Sequence, residues 1–248
     1  MKVIVIIPAA GLGTRMSGPS GKAGTGRSKK PAQSKQFTEL GGTPILIHTL
    51  RKFAAVDAVS EIRVALRQSE IAGFRERLEK EAKDVLKKKI ELVAGGETRQ
   101  QSVENALRAA TGEADDVVLV HDAVRPLVTS AIIQDVIAAA QKYGAAIAGL
   151  PAVDTVKQVE RTAEGAVIKA TIPRAGVVLA QTPQGFRFGV LRKAFEEAAA
   201  DGFAGTDEAS LVERSGKEVA VVMGSPRNLK ITTPADMELA EFYLRNPV

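Results

Sequence analysis

The sequence predicts a three-layer α/β domain on a mostly parallel sheet, and three observations carry that reading. The chain opens with a short, continuous β-branched run, VIVII at 3–7, the pattern of a strand buried on both faces, and it leads directly into Pro8 and a glycine loop. Strand-like and helix-like segments then alternate along all 248 residues. The composition, 45% hydrophobic and 25% charged, is that of an ordinary globular chain with enough apolar surface for a large core.

After the first strand comes the loop PAAGLGTRM at 8–16, and then a stretch at 17–34 rich in Gly, Ser and Lys that reads as a mobile loop within the domain. Further strands are expected at 61–66 (EIRVAL), 90–93 (IELV), 117–120 (VVLV), 145–150 (AAIAGL), 177–181 (VVLAQ) and 219–222 (VAVV). Helices fall between and around them near 44–55, 69–86, 99–110, 129–142, 187–199, 206–214 and 234–245, the last with Asp236, Glu238 and Glu241 on its polar side. The whole, 1–248, reads as a single domain. One segment interrupts the rhythm: 153–171 reads as two alternating strands around a turn at 162–165. A hairpin inserted into a parallel sheet lacks partners there, so it is expected to project as an arm and pack on a second subunit; the alternative is an antiparallel extension of the main sheet.

Composition also excludes chemistry. There is no cysteine, so disulfides, thiolate nucleophiles and cysteine metal sites are absent, and two histidines leave little for a histidine cage. No stretch nears the ~18 apolar residues of a membrane span, the longest run being 3–12, and the start lacks a signal-peptide layout. A cytoplasmic location without membrane contact is expected. The net charge of +5 is unevenly placed: Lys2, Arg15, Lys22, Arg27, Lys29, Lys30 and Lys35 precede the first acidic residue, Glu39. Cations gathered in one glycine-rich loop suit a compact polyanion such as a triphosphate better than a nucleic acid, which two Tyr and no Trp also disfavour.

The loop after the first strand is where an open parallel sheet binds ligands, and its small residues expose backbone amides to phosphate or a base edge, with Arg15 able to fork onto phosphate oxygens. Two decoys are set aside. Met16 stands where a GxGxxG fingerprint needs its third glycine, and Arg27 replaces the lysine of a phosphate-loop motif at 21–28. At the end of the strand at 117–120, Asp122 occupies a position suited to ribose or substrate hydroxyls, or to a divalent cation, whereas His121 points the other way and reads as structural.

PAAGLGTRM followed by Lys35, Gln36 and Phe37 resembles the sugar-phosphate nucleotidyltransferases. Six further motifs, GGETRQQSV (95–103), VHDAVRP (120–126), DTVK (154–157), TPQ (182–184), TDEAS (206–210) and NLKIT (228–232), narrow the resemblance to the 2-C-methyl-D-erythritol 4-phosphate cytidylyltransferases of the non-mevalonate isoprenoid pathway, over 3–244. The resemblance implies a Rossmann-like nucleotidyltransferase sheet with a projecting β-hairpin arm, a homodimer through that arm, CTP and a polyol phosphate as substrates, and Mg²⁺ or another divalent cation. It implies that Arg15, Lys35, Arg174 and Lys230 are catalytic. Ala9, Ala10, Gly11, Gly13, Gly96, Glu97, Ser102, Asp122 and Ala123 would hold the nucleotide, with Gly96, Glu97 and Ser102 around the cytosine. Asp122, Arg125, Thr155, Arg174 and Thr182 would hold the second substrate, Thr155 and Arg174 from the neighbouring subunit. No firm protein ligand for the metal emerges; Asp122 is the candidate.

The implied reaction needs no general base, because a phosphate monoester with a second pKa near ~6 is already largely dianionic at neutral pH. Catalysis then rests on neutralising two anions and aligning them. A pentitol-phosphate cytidylyltransferase (ribitol 5-phosphate) is the alternative enzyme, and a nucleotide-sensing regulator would not need Lys35, Lys230 and Arg174 together. Two departures from the family pattern stand out: Ser34 where a proline commonly precedes Lys-Gln, after a longer loop, and Val124 where the HDAARP form has alanine. Lys29 and Lys30 compete with Lys35 for the role of loop lysine, and Gln36 and Phe37 favour Lys35.

Overall fold

The structure, a computed structural model, describes residues 1–11 and 34–246. In chain order it consists of β1 (Val3–Pro8), β2 (Glu39–Leu40), β3 (Thr43–Pro44), α1 (Ile45–Ala54), β4 (Glu61–Leu66), α2 (Gln68–Glu81), β5 (Lys89–Ala94), α3 (Arg99–Ala109), β6 (Val117–Val120), α4 (Ser130–Tyr143), β7 (Ala145–Pro151), β8 (Val156–Thr162), β9 (Gly165–Ile172), β10 (Val178–Arg187), α5 (Phe188–Ala200), α6 (Glu208–Arg214), β11 (Ala220–Met223) and α7 (Pro234–Arg245).

Seven strands form the main sheet in the order β11-β7-β10-β6-β1-β4-β5. β1 lies parallel between β4 and β6, with Val5 level with Ile62 and Leu119. The period of two divides β1 between the layers: Val3, Val5 and Ile7 pack with Leu50, Phe53, Ile133 and Val136, while Ile4 and Ile6 pack with Val103, Leu191 and Phe195. Each such side chain, wholly withdrawn from water, stabilises the fold by about 1.5–3 kcal/mol before entropy is counted. A third, smaller cluster of Leu40, Ile45, Ile231 and Ala240 seats α7 against the β2–β3 ribbon.

Three expectations are corrected in extent. The helix expected at 69–86 ends at Glu81, and a separate 3₁₀ turn spans Val85–Lys87. The helix expected from 206 starts at Glu208, because the Asp207 side chain accepts the Ser210 amide and so caps it. The strand expected at 177–181 continues to Arg187 as β10, antiparallel to both β6 and β7, with a register shift between Ala180 and Gln184. The hairpin at 153–171 forms as β8 and β9, which pair with each other in a sheet of their own rather than extending the main one.

The chain leaves β1 to build β4 and β5 on one side, then returns to build β6 on the other. The carboxyl ends of β1 and β6 therefore flank the crevice where such sheets bind ligands.

Candidate active site

Three segments meet at that crevice: Pro8 to Gly11 after β1, Gly96 to Arg99 after β5, and Asp122 to Val124 after β6. Lys35, Gln36, Ser102 and Lys230 complete the lining. Close packing forces the glycines here, since a Cβ on Gly95 would stand 2.5 Å from the Ala10 Cβ and one on Gly96 would stand 2.4 Å from the Gln101 Cβ. The turn after them is pinned by a capping box, in which Thr98 accepts the Gln101 amide and the Gln101 side chain accepts the Thr98 amide. The Ser102 hydroxyl donates to the Thr98 carbonyl at 2.9 Å and accepts the Gly96 amide at 3.1 Å. Ser102 thus shapes the turn that a base would meet.

Asp122 is the charge centre. Its carboxylate receives Lys230 Nζ at 3.0 Å, Arg125 Nε at 3.1 Å and Arg99 Nε at 3.4 Å. Burial alone would raise the acid's pKa, but Lys230, Arg99 and Arg125 together hold it well below the ordinary carboxylate range, so Asp122 stays ionised. Three cations on one carboxylate leave the pocket electropositive. Lys230, in NLKIT, reaches the same pocket as β1 because Ile231 N donates to the Val124 carbonyl and Arg125 binds the Asn228 carbonyl, tying that segment beside the end of β6.

Lys35 lies in a 3₁₀ turn, Lys35–Phe37, and its ammonium donates to the Thr232 carbonyl at 3.1 Å. Phe37 packs on Phe74 of α2 with ring centroids 5.5 Å apart, which anchors the turn. Gln36 donates to the Ala9 carbonyl. Val124, the bulkier residue in HDAVRP, packs against the small cluster around Leu40 and Ile231.

Of the residues singled out by sequence, the pocket brings together Ala9, Ala10, Gly11, Lys35, Gly96, Glu97, Ser102, Asp122, Ala123 and Lys230. Arg125 and Thr182 line an adjoining depression that shares Arg99, Asp122 and Lys230 with the first. There Thr182 Oγ1 accepts the Asp122 amide at 3.0 Å and meets Nδ1 of the buried His121 at 3.1 Å. Thr155 and Arg174 are exposed and line neither depression; Arg174 donates to the Val153 carbonyl at the base of the hairpin. Gly13 and Arg15, and the loop at 17–33 with Lys29 and Lys30, lie outside the described residues.

Sequence reading missed a half-buried pair. Arg99 Nη1 contacts both Glu208 oxygens, at 2.7 and 2.9 Å, while its Nε faces Asp122. Burial pushes the Glu208 carboxyl upward, and Arg99 opposes that shift. The pair carries the TDEAS segment into the site, where Arg99 lines both depressions. The available signal was that Arg99 and Glu208 each lay within a motif already quoted.

Comparison with known proteins completes the picture. The family described as IspD, 2-C-methyl-D-erythritol 4-phosphate cytidylyltransferase, matches residues 3–246. Proteins bearing that description from Acidobacterium capsulatum and Solibacter usitatus are 61% and 52% identical over 246 residues, covering 99% of this chain and 98% and 96% of their own. The crystal structure of the Francisella tularensis enzyme of that name superposes with a TM-score of 0.78 at 35% identity, covering 98% of this chain and 99% of its own. That of the Thermus thermophilus enzyme gives 0.74 at 34% identity, covering 99% and 100%.

Proposed function

The chain belongs to the 2-C-methyl-D-erythritol 4-phosphate cytidylyltransferase family and transfers the cytidylyl group of CTP to 2-C-methyl-D-erythritol 4-phosphate, releasing pyrophosphate, in isoprenoid precursor synthesis; we propose that it does so at the pocket centred on Asp122. The observation that carries the assignment is the convergence of Lys230, Arg99 and Arg125 on one buried carboxylate, facing the bare backbone of Ala10 and Gly11.

In this reading CTP lies along the Pro8 to Gly11 loop, with its base against the Gly96 to Ser102 turn and its ribose near Asp122 and Ala123. The methylerythritol phosphate enters the adjoining depression beside Arg125 and Thr182. Its dianionic phosphate attacks the α-phosphorus, the new P–O bond forms as the bond to the β-phosphate oxygen breaks, and pyrophosphate leaves. Lys230 holds the attacking phosphate. Lys35, with Arg15 from the loop, stabilises the charge spreading over the equatorial oxygens. Asp122 holds the cations together and preset before either substrate arrives.

Mg²⁺ or another divalent cation fits as an ion shared with the triphosphate. The described residues contain no cluster of three His, Cys, Asp or Glu side chains, and such ions often take one carboxylate plus phosphate oxygens. Asp122 would be that carboxylate once Lys230 or an arginine moved off one of its oxygens onto phosphate, and the bound ion would supply further charge neutralisation.

Homodimerisation through the hairpin belongs to the same proposal. β8 and β9 pair only with each other and expose Val159, Val167 and Ile168, and Arg174 and Thr155 at the hairpin base lie away from their own pocket. A cytoplasmic setting is proposed because nucleoside triphosphates are available there; no helix among the described residues is long and apolar enough to cross a membrane.

The test is pyrophosphate release with CTP or UTP against methylerythritol phosphate or ribitol 5-phosphate. Turnover is expected with CTP and methylerythritol phosphate, with UTP disfavoured by roughly 1–3 kcal/mol through loss of the cytosine amino donor. Equal turnover of CTP and UTP would overturn the placement of the base, and a preference for ribitol 5-phosphate would overturn the second substrate. The relatives lend the pentitol alternative no support.

A further inference from the structure

At the start of α2, two side chains turn away from their own helix. Arg67 is the N-cap residue and Glu70 lies in the first turn, yet no side chain caps that end. Arg67 Nε instead donates to the Ala10 carbonyl at 3.0 Å, and Glu70 Oε1 receives the Ser34 hydroxyl at 2.6 Å. Each contact leaves a cost behind, because Arg67 Nη2 and Glu70 Oε2 are buried without partners. Helix capping does not explain the arrangement, since neither group caps.

We propose that Arg67 and Glu70 form a brace that positions two described segments of the site, Ala10 with Gly11 and Ser34 with Lys35, a role that rests on the CTP reading above. A trans peptide is planar, so fixing a carbonyl fixes the following N–H in the opposite direction. With the Ala9 carbonyl held by Gln36 and the Ala10 carbonyl held by Arg67, the amides of Ala10 and Gly11 are each fixed in direction, and neither has a backbone acceptor among the described residues. At the other end, Ser34 is buried and immediately precedes Lys35. Where the family pattern commonly sets a rigid proline before Lys-Gln, this chain has a serine, and the bond to Glu70 supplies the restraint a pyrrolidine ring would. Arg67 and Glu70 touch no reacting atom in this scheme; they act through Ala10 and Lys35.

The experiment measures steady-state kinetics for both substrates, CTP binding by calorimetry and thermal midpoints for Arg67→Met, Glu70→Ala, Glu70→Gln and Ser34→Pro. Arg67→Met is expected to weaken CTP binding and raise its KM about tenfold, the weight of one charge-assisted hydrogen bond, without changing the KM for the polyol phosphate. Glu70→Ala should lower kcat severalfold at unchanged KM. Glu70→Gln, which keeps an acceptor for Ser34, should restore most of that loss, and Ser34→Pro should make activity insensitive to Glu70→Ala. Wild-type kinetics in Arg67→Met and Glu70→Ala would overturn the brace while leaving the CTP assignment standing. So would parallel losses in both substrates that follow the thermal midpoint, which indicate a merely structural role. A wild-type protein that neither binds nor turns over CTP would overturn the functional reading itself, and the brace with it.

Discussion

At the scale of single residues, the site is a set of charges preset against one another, and His121 beneath it shows what that costs. Its ring is fully buried, with Nε2 against the Arg125 carbonyl at 3.0 Å, Nδ1 against Thr182 and an edge toward Phe53. Burial pushes the imidazole down to about 4, from 6.5. Between those values the unfolded chain takes up a proton that the folded chain refuses, so stability is full above pH 6.5 and falls as the pH drops toward 4. Relative to His121→Gln, which has no proton to bind, the wild type should lose about 2 kcal/mol between pH 7 and pH 5 in urea unfolding. Glu208, raised by burial, shifts stability in the opposite sense but is common to both proteins, so their difference isolates His121. Parallel pH profiles for the two proteins would refute the buried neutral ring. His121 was legible as structural from strand alternation alone. The Arg99–Glu208 pair was not, because 109 positions separate its members and no local pattern links them.

At the scale of elements, what the sequence revealed follows from how local each cause is. The strands at 61–66 and 117–120 match β4 and β6 to the residue, the first carried by the alternation that opens EIRVAL and the second by the continuous apolar run VVLV. The expected strand at 177–181 covers only the first half of β10. The second half, TPQGFR, contains Pro183 and Gly185, which argue against a strand on sequence grounds, and pairing with Val117 to Val120 on one side and Ala145 to Ile147 on the other makes it one. The expected end of α2 runs too far because an apolar residue, Val85, follows Ala82 at helical spacing, yet both are buried from a turn rather than from a helix. The start of α3 was legible from Thr98, and its capping box ties the pocket turn to the helix. Thr98→Ala should therefore cost about 1 kcal/mol, read as a lower urea midpoint at unchanged slope. An unchanged midpoint would mean that packing of Val103, Ala106 and Leu107, not the cap, sets where α3 begins.

At the scale of the whole molecule, two of the described residues that the family pattern assigns to the site line neither depression. Thr155 and Arg174 stand at the base of a hairpin whose strands have no partners in the main sheet, while Lys35 and Lys230 face the pocket from the body. If the proposed dimer forms through the hairpin, each site takes its body cations from one subunit and Arg174 from its partner, an arrangement natural to a two-fold interface. Lys35→Met is expected to lower turnover about a hundredfold to a thousandfold, the usual effect of removing a preset charge from a developing anion, and Arg174→Met should also be severely impaired. Mixed after joint unfolding and refolding, the two inactive variants should recover activity. Half of the randomly paired dimers would be mixed, and each would hold one site with both lysine and arginine intact, so about a quarter of wild-type activity should return. Sedimentation should find the wild type dimeric at micromolar concentration and a protein lacking the hairpin monomeric. Recovery at the level of either variant alone, in a mixture that sediments as a dimer, would place Arg174 in its own subunit's reaction or outside the reaction altogether.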